Sequence, residues 1–120
     1  MKKLFLILTI SLSALGVSAQ NYESIKNLLI FPDKFAQAKT DLDKGFGNTK
    51  FASKPEAYIL KTAIYAGLAM SDANKNTPAG EQLNTEADAA FTKYKEMDPA
   101  MSLISDPIYQ NGPINIYSSF

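Results

Sequence analysis

The stretch EADAAFTKYKEMDP, residues 86–99, decides the fold. Ala87, Ala90 and Tyr94 step by three and four, Phe91 widens the stripe, and Leu83 and Met97 extend it in both directions. Residues three and four apart share one side of a helix, so this spacing predicts an amphipathic α-helix. Pro99 ends it. Thr77-Pro78 supplies an N-cap followed by proline in the first helical position, which places the start near 78. Glu81, Glu86 and Asp88 precede Lys93 and Lys95, the order that suits the helix dipole.

The helix preceding it is more apolar. Residues 54–70, KPEAYILKTAIYAGLAM, are too long for a strand, and Pro55 falls within the first turn. Ser53 and Glu56 match a capping box. Lys61 and Thr62 are the strongly polar side chains between Glu56 and Ser71. A helix apolar nearly all round requires neighbours nearly all round.

Shorter signals flank this pair. Tyr22, Ile25 and Leu29 predict a helix over 22–30, interrupted by Pro32. Phe35, Ala38 and Leu42 predict another over 33–44, with Asp33 at its start and Gly45 closing it. Residues 45–53 read as a loop and 71–82 as a polar connector. After Pro99 the chain reads as irregular, with a break at Asp106-Pro107. Asn111-Gly112-Pro113 then signals a turn and the start of a helix carrying Ile114 and Tyr117, within which the sequence stops.

The N-terminus belongs to a different class. Lys2 and Lys3 precede a charge-free apolar run from Leu4 to Leu15, and Val17-Ser18-Ala19 offers a cleavage site, so residues 1–19 read as a secretory signal peptide. The run is shorter than the ~20 residues of a membrane span. The reading is of an exported protein, periplasmic or secreted, with no stable membrane span after cleavage. Residues 20–120 then form one α-helical domain. Without Lys2 and Lys3, ten lysines face twelve acids, a net charge of −2, and there is no arginine, so the footprint of a nucleic-acid binder is missing. With no His and no Cys, the usual ligands of zinc, haem and iron–sulfur cofactors are missing, as are His-activated nucleophiles. No cofactor and no enzymatic activity are expected.

Read together, the two long helices resemble a tetratricopeptide repeat, whose pattern is W-x₂-L-G-x₂-Y in the first helix and A-x₃-F…P in the second. Tyr58 and Tyr65 fill the aromatic slots of the first helix, and Ala87, Phe91 and Pro99 those of the second. Lys61 and Thr62 stand where the pattern has leucine and glycine, and the connector exceeds a ~34-residue repeat by about a dozen residues. The chain is also similar in style to exported proteins of Bacteroidota. The resemblance implies an all-α fold of antiparallel helical hairpins, incomplete at the C-terminus, with a small up-down bundle as the alternative. It further implies a scaffold for a protein or peptide partner, with Ile59, Ala63 and Ala66 facing the groove. Two other functional readings are a glycan-uptake-associated binding protein, for which Tyr109 and Tyr117 are the stacking candidates, and a self-associating helical bundle.

Overall fold

A computed structural model describes residues 22–111, and those residues are helical with no strand among them. The elements are α1 (22–28), a 3₁₀ turn (Pro32–Lys34), α2 (Phe35–Gly45), α3 (Thr49–Ala52), α4 (Pro55–Ala69), α5 (Pro78–Met97), a second 3₁₀ turn (Leu103–Ser105) and α6 (Pro107–Asn111). The expected signal segment, the expected helix start at Pro113, and Tyr117 lie outside the described residues.

α4 is the hub. It packs along α5 and also contacts α2, α3 and the Leu103–Ser105 turn. Nine of its fifteen residues are buried, among them Ile59, Leu60, Ile64 and Tyr65. This is what an all-round apolar helix demands. α4 and α5 run antiparallel: the backbone at Gly80 lies against that of Ala69, while Lys61 pairs with Glu86 at 3.9 Å further along. Ala87 is fully buried. Thr77 caps α5 as its sequence predicts, its hydroxyl accepting from the Gly80 N–H at 3.0 Å.

The two off-pattern residues of α4 are both accommodated. The Thr62 hydroxyl, fully buried, donates to the Tyr58 carbonyl at 2.8 Å, one turn back. Lys61 lays its ammonium over Tyr65 at 4.9 Å and over Phe46 at 5.3 Å. The aromatic faces and Glu86 replace water around a half-buried cation.

Local corrections concern termini and loops. Ser53 does not form a capping box. Proline at 55 forces the residue before it into extended backbone, so Lys54 (φ −113°, ψ 149°) becomes the N-cap, and Ser53 turns back to donate to the Lys50 carbonyl at 2.7 Å. The expected loop 45–53 contains α3. Asn48 caps it, its Oδ1 accepting from Lys50 N at 2.9 Å and Phe51 N at 3.4 Å, and this single turn delivers the Phe51 ring to the core. Asp33 sits inside the 3₁₀ turn and is not a cap, because Lys34 holds the N-cap position of α2. Gly45 is the last residue of α2 without a left-handed conformation. Its missing side chain makes room for Phe51, whose ring would lie 2.7 Å from any Cβ there. Asp106-Pro107 starts α6, with proline as its first residue, within the stretch 100–112 expected to be irregular.

Candidate functional site

The site is assembled from the chain after α5. Asp98 terminates α5, and its carboxylate gathers three donors. It accepts from the Tyr94 hydroxyl at 2.6 Å, the Leu103 N–H at 3.1 Å and the Ser102 hydroxyl at 3.1 Å. The backbone N–H of Asp98 closes the helix on the Tyr94 carbonyl. These bonds hold the Asp98 carboxyl below the usual carboxylate range, with the Tyr94 hydroxyl contributing most. The Tyr94 hydroxyl in turn accepts from Ile104 N at 3.1 Å. A fully buried phenol therefore pins the Leu103–Ser105 turn and carries Ile104 into the core.

Asp106 makes the next join. Its Oδ1 accepts from Ile108 N at 3.0 Å, capping α6, and its Oδ2 accepts from Lys26 Nζ at 3.0 Å. The Lys26 ammonium also lies 3.4 Å from Glu23. α6 is thus tied to α1 across eighty residues of sequence. The cap and the cation together depress the Asp106 carboxyl, and the hydrogen bond to Asp106 raises Lys26.

Between these elements lies a cavity of about 350 Å³. Its walls are Tyr22, Glu23 and Lys26 of α1, Glu56, Ile59 and Leu60 of α4, and Leu103, Asp106 and Tyr109 of the C-terminal turns. Tyr22 is fixed by stacking on Phe51 at 4.5 Å and donating to the Phe51 carbonyl at 2.5 Å. Burial, and then Glu56, push its phenol up to about 12. Burial pushes Tyr109 up further, with Asp106, Tyr94, Glu56 and Glu23 adding negative potential. The lining combines aliphatic surface with three carboxylates and one ammonium.

Two groups of this lining stand unpaired. Among the described residues, neither the Glu56 carboxylate nor the Tyr109 hydroxyl has an ion-pair or hydrogen-bond partner. Tyr109 is only 4% exposed. Tyr109 lines the cavity, and no side-chain oxygen sealed from solvent lacks a partner among the described residues.

The residues expected from sequence fall in different places. Ile59, Ala63 and Ala66 do not face an open groove: all three are at most 3% exposed, in one core with Ile25, Leu29, Phe35, Ala38 and Leu42 of the preceding helices. Of the three, only Ile59 lines the cavity. Tyr65 is buried, and its hydroxyl reaches Asp43 of α2 at 2.6 Å. Tyr58 is half-buried against Phe46, with ring centroids 5.4 Å apart. Phe91 stacks on Tyr94 at 6.2 Å, and Pro99 is exposed beyond the end of α5. Tyr109, a stacking candidate for sugars, has its ring enclosed.

Sequence reasoning missed Lys26, Glu56 and Asp106 as one site. Asp106-Pro107 carried the usable signal, since an aspartate before proline is also a helix N-cap. Among the described residues, no cluster of three acidic, His or Cys side chains is placed to hold a metal, and no helix is long and apolar enough to cross a membrane. Compared with known protein families, curated proteins and solved structures, the chain matches none.

Proposed function

We propose that the chain is an exported, non-enzymatic helical module of tetratricopeptide-like design that holds a protein or peptide partner. The antiparallel pairing of α4 and α5, with Ala87 buried and Tyr58 and Tyr65 along the first helix, supports the hairpin reading. The binding site is the cleft between α1, the start of α4 and the Leu103–Asn111 segment. The Ile59–Ala63–Ala66 face is already filled by the protein's own side chains.

One observation carries this reading. The cavity brings together three remote segments, and Glu56 and Tyr109 in its lining have no side-chain hydrogen-bond or ion-pair partner among the described residues. Ligand sites are where a few polar groups converge on apolar walls, as they do here.

A peptide-display selection tests it, with the wild-type chain as bait and Leu103→Trp as the counter-bait. Leu103 lines the cavity from a half-exposed turn, so an indole there fills the space. Enriched peptides are expected to bind wild type and to lose binding to the plugged variant. Peptides that bind both equally would place the partner surface elsewhere. Export is checked by the mass of the protein recovered outside the inner membrane, with Gln20 expected as its first residue.

A further inference from the structure

We infer that the cavity is a receptor for a primary ammonium group carried on an aliphatic stem, such as a lysine side chain of the partner. The inference rests on the cleft being the partner-binding site, and it deepens that reading.

The first argument is charge. Glu23, Glu56 and Asp106 line the cavity with Lys26 as the single cation. Lys26 is already committed, at 3.0 Å to Asp106 and 3.4 Å to Glu23. That leaves a net −2 in a partly enclosed space, with Glu56 as the carboxylate lacking a partner. Glu23 is largely solvent-exposed while Asp106 and Glu56 are half-buried, and a cleft lined by one sign of charge raises the local concentration of cations.

The second argument is independent of charge. Tyr109, more than nine-tenths buried, lines the same space, and its hydroxyl has no hydrogen-bond partner among the described residues. Its oxygen can accept an N–H from an ammonium that also meets Glu56. The third argument is shape. Ile59, Leu60 and Leu103 offer aliphatic surface between these polar groups. A cavity of about 350 Å³ lies at the small end of ligand pockets, suited to one side chain rather than to a folded surface or an oligosaccharide. An ammonium has three donors and no acceptor, which matches a site presenting free oxygens.

The test is amide NMR of the purified ¹⁵N-labelled chain, titrated with the capped tripeptide acetyl-LKL-amide, with the same peptide acetylated on its lysine Nζ, and with butylamine. Saturable shifts are expected at 22–26, 56–60 and 103–109 with the first peptide. Acetylation should weaken binding by at least about tenfold, as should Glu56→Gln, the scale of a lost charge-assisted contact. Tyr109→Phe should weaken it several-fold while leaving the spectrum of the free protein dispersed. Butylamine distinguishes the source. Binding weaker than that of the peptide assigns the group to a lysine side chain; equal binding assigns it to a free small amine and sinks the peptide reading while keeping the ammonium site. If the acetylated peptide or the Glu56→Gln variant binds undiminished, the ammonium inference fails and the partner-binding cleft stands. If none of the probes gives saturable shifts, both fail.

Discussion

The Tyr94 hydroxyl joins the helical hairpin to the site. It gives its proton to Asp98 and receives the Ile104 N–H, so one oxygen serves both the end of α5 and the turn after it. Tyr94→Phe keeps the ring and removes that oxygen. The Ile104 N–H is then buried without a partner, which costs about 1–3 kcal/mol. The expected result is a lower urea midpoint together with looser amide exchange at 103–106. Gly80 makes a contrasting case. Alanine is the better helix former by about 1 kcal/mol. A Cβ at Gly80, however, would lie 2.2 Å from the Asn74 carbonyl oxygen, which is backbone and cannot swing aside. Overpacking of this kind costs about 1–3 kcal/mol, so Gly80→Ala is expected to destabilise despite its helix propensity, again read from the urea midpoint.

Among the elements, the long helices and the short α1 were legible, and α3 and α6 were not. Periodicity over fifteen to twenty residues, with proline at the first position of both α4 and α5, announces their identity and bounds. α3 has four residues, too few for a period, and its instruction is the single side chain of Asn48. Asn48→Ala should therefore cost about 1 kcal/mol, as loss of a cap does. A specific sign would be altered fluorescence or NMR environment at Tyr22, because Phe51, which α3 delivers, is the ring on which Tyr22 stacks. The cavity was illegible for a related reason. Its walls come from 22–26, 56–60 and 103–109, and the bond that aligns them, Lys26 to Asp106, spans eighty residues. Spacing rules see neighbours on one helix and carry no information about such a pairing. The groove expectation failed on the same ground: nothing in the pattern of α4 says which side its upstream helices cover.

At the scale of the whole molecule, the titratable groups predict a lopsided pH dependence. Asp98 and Asp106 are depressed in the folded chain, so what they contribute is present above about pH 4, where the unfolded carboxyls ionise, and is lost as pH falls through their lower folded values. Both are partly exposed, and the pair with Lys26 contributes at most about 1 kcal/mol, so the acid side should slope gently. The alkaline side is different. Tyr22, Tyr65, Tyr94 and Tyr109 are all raised, chiefly by burial, and Lys26 is raised by Asp106. A raised folded value means that the folded chain holds its proton more tightly. The associated stability is complete below about pH 10, where unfolded tyrosine ionises, and is lost as pH climbs through the folded values. The urea midpoint should therefore be level between about pH 6 and 9 and fall steeply above 10. Tyrosinate absorbance at 295 nm provides the molecular check. Of the six tyrosines in the chain, no more than two should ionise before helical ellipticity at 222 nm is lost, and the rest should titrate together with unfolding. If four or more ionised while the helices persisted, the phenols of Tyr94 and Tyr109 would not be enclosed as described, and the turn that builds the cavity would be open to solvent.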